Sequence, residues 1–178
     1  ILAPQMNSST VRLCSDYEAL KSVEELQVEQ ISTVELSIPL FEKLYHMGRF
    51  FLINETGELP PAQGQWNTNV NFQVCSGNIT GLHEQMEVFF RFFESKFDDF
   101  RLNALNIFGC RGILASIHPN MITGYQYHFS SRRPHQYWIP CAGWVFNKYW
   151  GYYLTTADEK FLRERVVPGL KEIALFFE

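Results

Sequence analysis

Three asparagines stand within five positions of the segment WNTNVNFQV, residues 66–74, and two of them form the pair Asn69-x-Asn71. Carboxamides do not titrate near neutral pH, so they cannot serve as ordinary general bases. Each of them can both donate and accept hydrogen bonds, which allows it to hold a water molecule or a sugar hydroxyl. A turn in which the asparagine side chains bond their own backbone is the alternative. Residue types and spacing leave both interpretations open.

A second polar segment, residues 110–134, leads up to a third histidine at position 135. The gaps of ten and seven residues between His118, His128 and His135 match no helical ligand pair and no Cys-His zinc pattern. No C-x-x-C pair occurs among the four cysteines, whose wide spacing permits disulfides without requiring them. We therefore expect no metal and no cofactor, and polar loop or substrate contacts from one or two of these histidines.

Hydrolysis of a glycosidic bond normally requires two carboxyl groups, about 6.5–9.5 Å apart when the enzyme inverts. Most carboxylates here fall at positions expected to face solvent on predicted helices. They are Glu84, Glu87, Glu94, Asp98, Asp99, Glu159 and Glu164. No G-x-S-x-G nucleophile elbow and no phosphate-binding glycine loop occurs. Taken alone, the residues identify no acid–base pair.

The elements that must position these residues are predicted to be helices, because apolar residues recur at helical spacing and no strand alternation is present. Two long irregular segments, 54–78 and 110–134, interrupt them, and long ordered loops in compact domains are usually functional. Core packing is the expectation for both Trp138 and Trp144. The first predicted helix covers 16–31, capped by Ser15 or Asp16, and the second runs from Ser37 to Ile53. Two more follow: a stripe from Leu82 to Phe93, and 98–108 ending at Gly109. The last two are a helix over 135–156 and a helix that is capped by Asp158 and kinked or restarted by Pro168.

Composition narrows the class of protein. With 178 residues, 19% charged and 46% hydrophobic, the chain is predicted to be one globular domain. A net charge of -4 argues against nucleic acid as the main partner, and no apolar run approaches the roughly 20 residues of a membrane span. Three N-glycosylation sequons, at Asn7, Asn54 and Asn78, weakly favour an extracellular or periplasmic location. The start at Ile1 and a last helix still in phase at Glu178 lead us to expect a trimmed chain that is part of a larger domain.

Several segments, in order, resemble the catalytic domain of glycoside hydrolase family 95, the inverting 1,2-α-L-fucosidases and their α-L-galactosidase relatives. The resemblance covers about residues 40–178. Its segments are LYHMGRFFLINETGELPPAQGQWN, NVNFQV, GNITGLHE, CRGILA and WIPCAGWV followed by YYLTTADEKFLRERVVPGLKEIALFF. It implies an all-α fold, an (α/α)6 toroid of glycoside-hydrolase type of which this chain forms part, with a lead-in segment over 1–36 and the N-terminal part of the catalytic domain over 37–178.

The resemblance also implies roles for individual residues. Asn69 and Asn71 match the asparagine pair that holds the attacking water, with a distant aspartate activating it. Substrate-binding roles fall on Trp66, Gln73, His118, Asn120 and Trp138. The general-acid glutamate and the water-activating aspartate are expected beyond Glu178, so we expect the segment by itself to be incomplete for catalysis. The chain departs from the family pattern in a shorter loop before Asn69 and in Cys75 and Ser76, which replace aromatic and proline residues.

The leading hypothesis is therefore an inverting α-L-fucosidase-like glycosidase that acts on an oligosaccharide or glycan. The alternatives are another (α/α)6 sugar-active enzyme, such as an α-L-galactosidase or a phosphorylase, and a non-catalytic carbohydrate-binding protein of the same fold.

Overall fold

The computed structural model describes residues 10–61, 69–127, 129–132, 134 and 137–178. Within these ranges the regular secondary structure is helical and no β-strand is formed, which confirms the prediction of an all-α chain.

The first two helices are short and each begins with a capping box. Helix α1 spans Asp16–Leu20 and helix α2 spans Val23–Ile31. Ser22 accepts a hydrogen bond from the backbone N–H of Glu25, whose carboxylate accepts one from the Ser22 N–H. The prediction of one helix over 16–31 was wrong, because this second Ser-x-x-Glu box starts a new helix and satisfies its N-terminal donors.

Helix α3 spans Ile38–Glu55 and begins as predicted, with Ser37 as the N-cap and a proline in the first turn. Helix α4 spans Asn69–Val74 and lies inside the segment predicted to be irregular. That prediction failed because asparagine has low helix propensity, which is a weak preference that the folded context can override.

Helices α5, His83–Glu94, and α6, Phe97–Phe108, follow each other closely along the chain. The turn between them is short, and the rings of Phe93 and Phe97 pack edge to face across it at 5.9 Å. Helix α6 ends as predicted at Gly109, which has a φ of 69°. Left-handed backbone of this kind favours glycine.

Helix α7 spans Cys141–Thr156, so the predicted start at residue 135 was wrong. Pro140 occupies the N-cap position, and a proline fixes φ and disfavours helical backbone in the residue before it.

The last helix, α8, has three parts: an α-helical turn Glu159–Phe161, a π-helical turn Leu162–Val166 and an α-helical part Val167–Phe177. Asp158 caps it as predicted. Pro168 lacks an N–H and its ring would press on the carbonyl of residue 164, four positions earlier. The helix widens at this point, and the Val167 N–H bonds to the Leu162 carbonyl five residues back.

The core lies where α5, α7 and α8 meet, and it is largely aromatic. The rings of Phe146 and Tyr149 stack with centroids 4.2 Å apart, and Phe90 packs on Tyr149 at 4.4 Å. Gly169 on α8 lies directly against Phe146: a Cβ atom there would be 1.9 Å from the Phe146 Cζ. This glycine therefore permits α8 to approach α7 closely enough to close the core.

The segment before α1 packs on α3 through Glu42, a buried carboxylate. The backbone N–H groups of Leu13 and Cys14 both donate to its Oε2. These hydrogen bonds hold the pKa of Glu42 below its ordinary value of 4.5, and the bond from Leu13 has the largest effect. Glu42 thus attaches the lead-in segment to α3, and the predicted boundary at residue 36 stays a prediction.

Candidate functional site

The Asn-x-Asn pair forms the start of α4. Asn69 is exposed, and Asn71 is fully buried. Successive helix residues turn by about 100°, so side chains two positions apart point in widely different directions. Gln73 is exposed, and Trp66 lies outside the described residues. The structure thus gives the two asparagines different surroundings, with one amide open to solvent and the other enclosed.

The turn that follows α4 is held by two side chains whose roles the sequence interpretation missed. Asn78 is buried, and its Nδ2 donates to the carbonyl oxygen of Lys148 on α7 at 2.9 Å. Arg49 is buried in α3, and its Nη1 donates to the carbonyl oxygen of Thr80. A sequence signal for Arg49 existed, since it falls in helical phase with Tyr45 and Leu52 on the inward face of α3.

The second polar segment runs over α6 and is held there by two side chains of that helix. Asn103 is buried; its Nδ2 donates to the carbonyl oxygens of Leu114 and Gly124, and its Oδ1 accepts from the Gln126 N–H. Asp99 Oδ2 accepts from the Gly124 N–H at 2.7 Å. These hydrogen bonds replace the partners that a neighbouring strand would supply, so the segment has a defined course without belonging to a sheet.

His118 and Asn120 lie at the turn of this segment. His118 is half-buried. Its backbone N–H donates to Ser116 Oγ, and the centroid of its ring lies 6.5 Å from that of the Tyr127 ring. Asn120 is exposed, and its Oδ1 accepts from the N–H groups of Ile122 and Thr123, both at 2.8 Å. The structure therefore joins His118 to Tyr127, while the carbonyl end of the Asn120 amide closes a turn.

The two tryptophans at the start of α7 differ in surroundings. Trp138 is partly buried and packs against the main core, as predicted. Trp144 is 44% exposed, so core packing was the wrong prediction for it. Trp138 precedes the first residue of α7, whereas Trp144 lies within the helix, whose buried face carries Val145 and Tyr149.

Two glutamates expected to face solvent instead form an ion cluster. Arg165 Nε and Nη2 each lie 2.8 Å from a carboxylate oxygen of Glu94, and Arg165 Nη1 binds Glu87. The guanidinium also covers the rings of Phe90 and Phe161. Burial opposes the charge of Arg165, but the hydrogen bonds to Glu94 and Glu87 outweigh it and raise the arginine pKa. Both carboxylates are thus committed to linking α5 with α8.

The other groups that could carry chemistry are cysteine thiols and clusters of metal-ligating side chains. All four cysteines are unpaired, and burial raises the pKa of the Cys141 thiol, which makes it a poor nucleophile. In the part of the chain that the structure describes, no cluster of three or more His, Cys, Asp or Glu residues could hold a metal ion. No helix formed by those residues is long and apolar enough to cross a membrane.

Comparison with known proteins supports a family assignment. The model of the glycosyl hydrolase family 95 catalytic domain matches residues 5–178. No curated protein and no solved structure matches the chain. The match includes α4, the segment over α6 and the whole aromatic core. An all-α chain is also what a toroidal glycoside hydrolase requires.

Proposed function

The chain belongs to glycosyl hydrolase family 95, and from this premise we propose that the protein hydrolyses terminal α-L-fucosyl residues of oligosaccharides, with inversion, through a water molecule held by Asn69 and Asn71. The family makes the protein a glycoside hydrolase whose substrate is a carbohydrate. The fucosyl specificity and the role of the asparagine pair belong to the proposal.

The observation that carries the proposal is that the Asn-x-Asn pair lies in a family match spanning nearly the whole chain. The surroundings of the two amides suit different tasks. Asn71 is fully buried, so ordering its amide costs little further conformational entropy. Asn69 is open to solvent, where water and substrate arrive.

In the proposed reaction the exposed Asn69 amide binds the water from the solvent side and the enclosed Asn71 amide binds it from the protein side, which directs an oxygen lone pair at the anomeric carbon. The water attacks on the face opposite the leaving oxygen, and a carboxylic acid protonates that oxygen. Amides orient the water without taking its proton, so a carboxylate has to receive that proton. Glu87 and Glu94, bound to Arg165, and Asp99, which holds Gly124, suit neither role.

Substrate contacts are proposed for Trp66, Gln73, His118, Asn120 and Trp138. The exposed or partly exposed side chains of Gln73, His118 and Asn120 support this, because each presents polar groups of the kind that orient sugar hydroxyls. The amide nitrogen of Asn120 is the end of that side chain proposed to meet the sugar, since its oxygen binds the turn. An extracellular or periplasmic location is part of the proposal.

The test is release of fucose from 2′-fucosyllactose by the full-length protein, with NMR of the anomer formed first. Inversion predicts the β-anomer as the initial product. Initial release of the α-anomer would overturn the inverting mechanism. Preferred cleavage of α-L-galactosides, or formation of a sugar phosphate in phosphate buffer, would assign the protein to one of the alternative activities. Binding of the glycan without any turnover would make it a non-catalytic carbohydrate-binding protein.

A further inference from the structure

Residues 124–127 alternate between buried and exposed side chains. Gly124 and Gln126 are buried against α6, whereas Tyr125 and Tyr127 are 46% and 53% exposed. Phe129, two positions further on, is 55% exposed. In an extended chain alternate residues share one face, and two residues advance it by about 6.6 Å. The side chains of Tyr125 and Tyr127 therefore lie on the solvent side of the segment.

The backbone beneath these rings is tied down. The bonds of Asn103 to Gly124 and Gln126 secure the residues on either side of Tyr125. A Cβ at Gly124 would lie 2.6 Å from the Phe100 ring, so the segment lies as close to α6 as a glycine allows. A surface whose backbone is already ordered loses little conformational entropy when a ligand binds to it.

The exposed rings are continuous with the candidate site. The Tyr127 ring lies 6.5 Å from that of His118, one of the residues proposed to contact the substrate. Exposed aromatic rings are costly in water, and their faces suit the apolar C–H faces of pyranose sugars. Tyrosine adds a solvent-facing hydroxyl group that can form hydrogen bonds with sugar hydroxyls. No charged side chain stands between these rings at positions 125–127, which favours a neutral ligand.

We propose that Tyr125, Tyr127 and Phe129 form a platform that binds the neutral sugar residues of the oligosaccharide beyond the one that is removed. This inference rests on the proposed function for the identity of the removed sugar, but the platform itself requires only a carbohydrate ligand. It explains why a polar segment held by α6 carries aromatic rings on its outer face. It also makes the chain attached to the removed sugar a determinant of affinity.

The test measures binding of lactose and of longer neutral oligosaccharides that lack a fucosyl group, by saturation-transfer NMR and titration calorimetry on the full-length protein. Tyr125→Ala and Tyr127→Ala should each weaken binding by about 3- to 10-fold, as expected for loss of one ring contact. Tyr125→Phe and Tyr127→Phe keep the ring face and should stay within about twofold of the wild type. Tyr17→Ala removes a tyrosine that is 75% exposed on α1 and serves as the matched control.

Kinetics provide a second readout. The alanine variants should raise KM for 2′-fucosyllactose while leaving an aryl α-L-fucoside unaffected, because only the former carries sugars that reach the platform. Unchanged oligosaccharide binding in both alanine variants would overturn the platform even if fucose is released. Loss of binding in those variants without any fucose release would support the platform and defeat the proposed function. Dimerisation of the wild type that both alanine variants abolish, with glycan binding unaffected, would make the surface a protein interface and overturn the inference.

Discussion

Arg165 in the π-helical turn of α8 binds both carboxylate oxygens of Glu94 on α5, with two N–O distances of 2.8 Å. A planar guanidinium matches a carboxylate in this way, and a third bond to Glu87 uses the remaining edge of the fork. The cluster is partly buried, since 20% of the Arg165 side chain is exposed. It joins the widened turn that accompanies Pro168 to the most deeply buried helix of the core.

Replacing Arg165 should therefore destabilise the protein. Arg165→Ala removes the cation bound to Glu94 and leaves Glu87 with Arg91, 3.5 Å away. We expect a loss of about 1–3 kcal/mol in the free energy of unfolding, less than for a fully buried pair. Arg165→Lys keeps the charge but not the fork and should recover part of that loss. Denaturant unfolding measures both. Arg163→Ala, on the exposed side of the same turn, should change stability by no more than about 0.5 kcal/mol, and an equal effect of both alanine variants would contradict the assignment.

Replacing two glycines by alanine should change the stability of the protein in opposite directions. Gly169→Ala places a methyl group against the Phe146 ring and should cost about 1–3 kcal/mol or more, because both helices are packed around that contact. Gly143→Ala, in the helix that carries Phe146, meets nothing within 4 Å and should stabilise by about 0.5–1 kcal/mol through helix propensity. Thermal unfolding decides between them. A stable Gly169→Ala protein would show that α8 can shift away from α7.

The lead-in segment should be held less firmly on α3 at acid pH, because protonation of Glu42 weakens the hydrogen bonds that attach it. Its folded-state pKa is lowered below 4.5, so the stabilisation is present above pH 4.5 and is lost as the pH falls through the lower folded value. Hydrogen-exchange protection factors of the Leu13 and Cys14 amides, measured from pH 3 to 7, should fall at the acid end. Glu42→Gln should lower them at neutral pH and flatten the profile. Glu24→Gln, an exposed change on α2, should leave the profile as in the wild type.

The asparagine pair should affect turnover more than binding. If both amides hold the attacking water, Asn69→Ala and Asn71→Ala should each lower kcat by about 10²-fold with little change in KM. Because Asn71 is buried, its thermal unfolding midpoint has to be recorded as well, and Asn71→Asp offers a variant of nearly equal volume. Asn147→Ala, at an exposed position of α7, is the control. Wild-type kcat in both alanine variants would remove the pair from the mechanism.

The N-glycosylation sequons at Asn54 and Asn78 should differ in whether they carry a glycan. The Asn78 side chain is buried and its amide nitrogen bonds to Lys148, so a glycan on that nitrogen is incompatible with the folded protein. Asn54 is exposed at the last turn of α3. After expression in a secreting eukaryotic host, deglycosylation in heavy-oxygen water and peptide mass spectrometry should label Asn54 and leave Asn78 unlabelled. A folded, secreted product glycosylated at Asn78 would refute the described contact.

Much of the helical framework follows from the sequence alone. Ser37, Gly109 and Asp158 each specify a helix end through one local interaction, and each end was predicted. The all-α class follows from the helical spacing of apolar residues, and the family resemblance follows from the order of motifs along the chain. Neither needs three-dimensional information. These are properties of short segments, so local physical chemistry suffices to determine them.

Only the tertiary structure decided which side chains meet. Glu87 and Glu94 look like solvent-facing residues until Arg165, more than 70 positions away, is brought against them. Likewise Asn78 looked like a glycan acceptor until α7 fixed its surroundings, and only the packing on α6 decided that Tyr125 and Tyr127 face solvent. A side chain's burial, charge state and accessibility depend on neighbours that are remote in sequence. The residue types indicated the chemistry available, and the packing of the helices determined which of them remain open to a sugar.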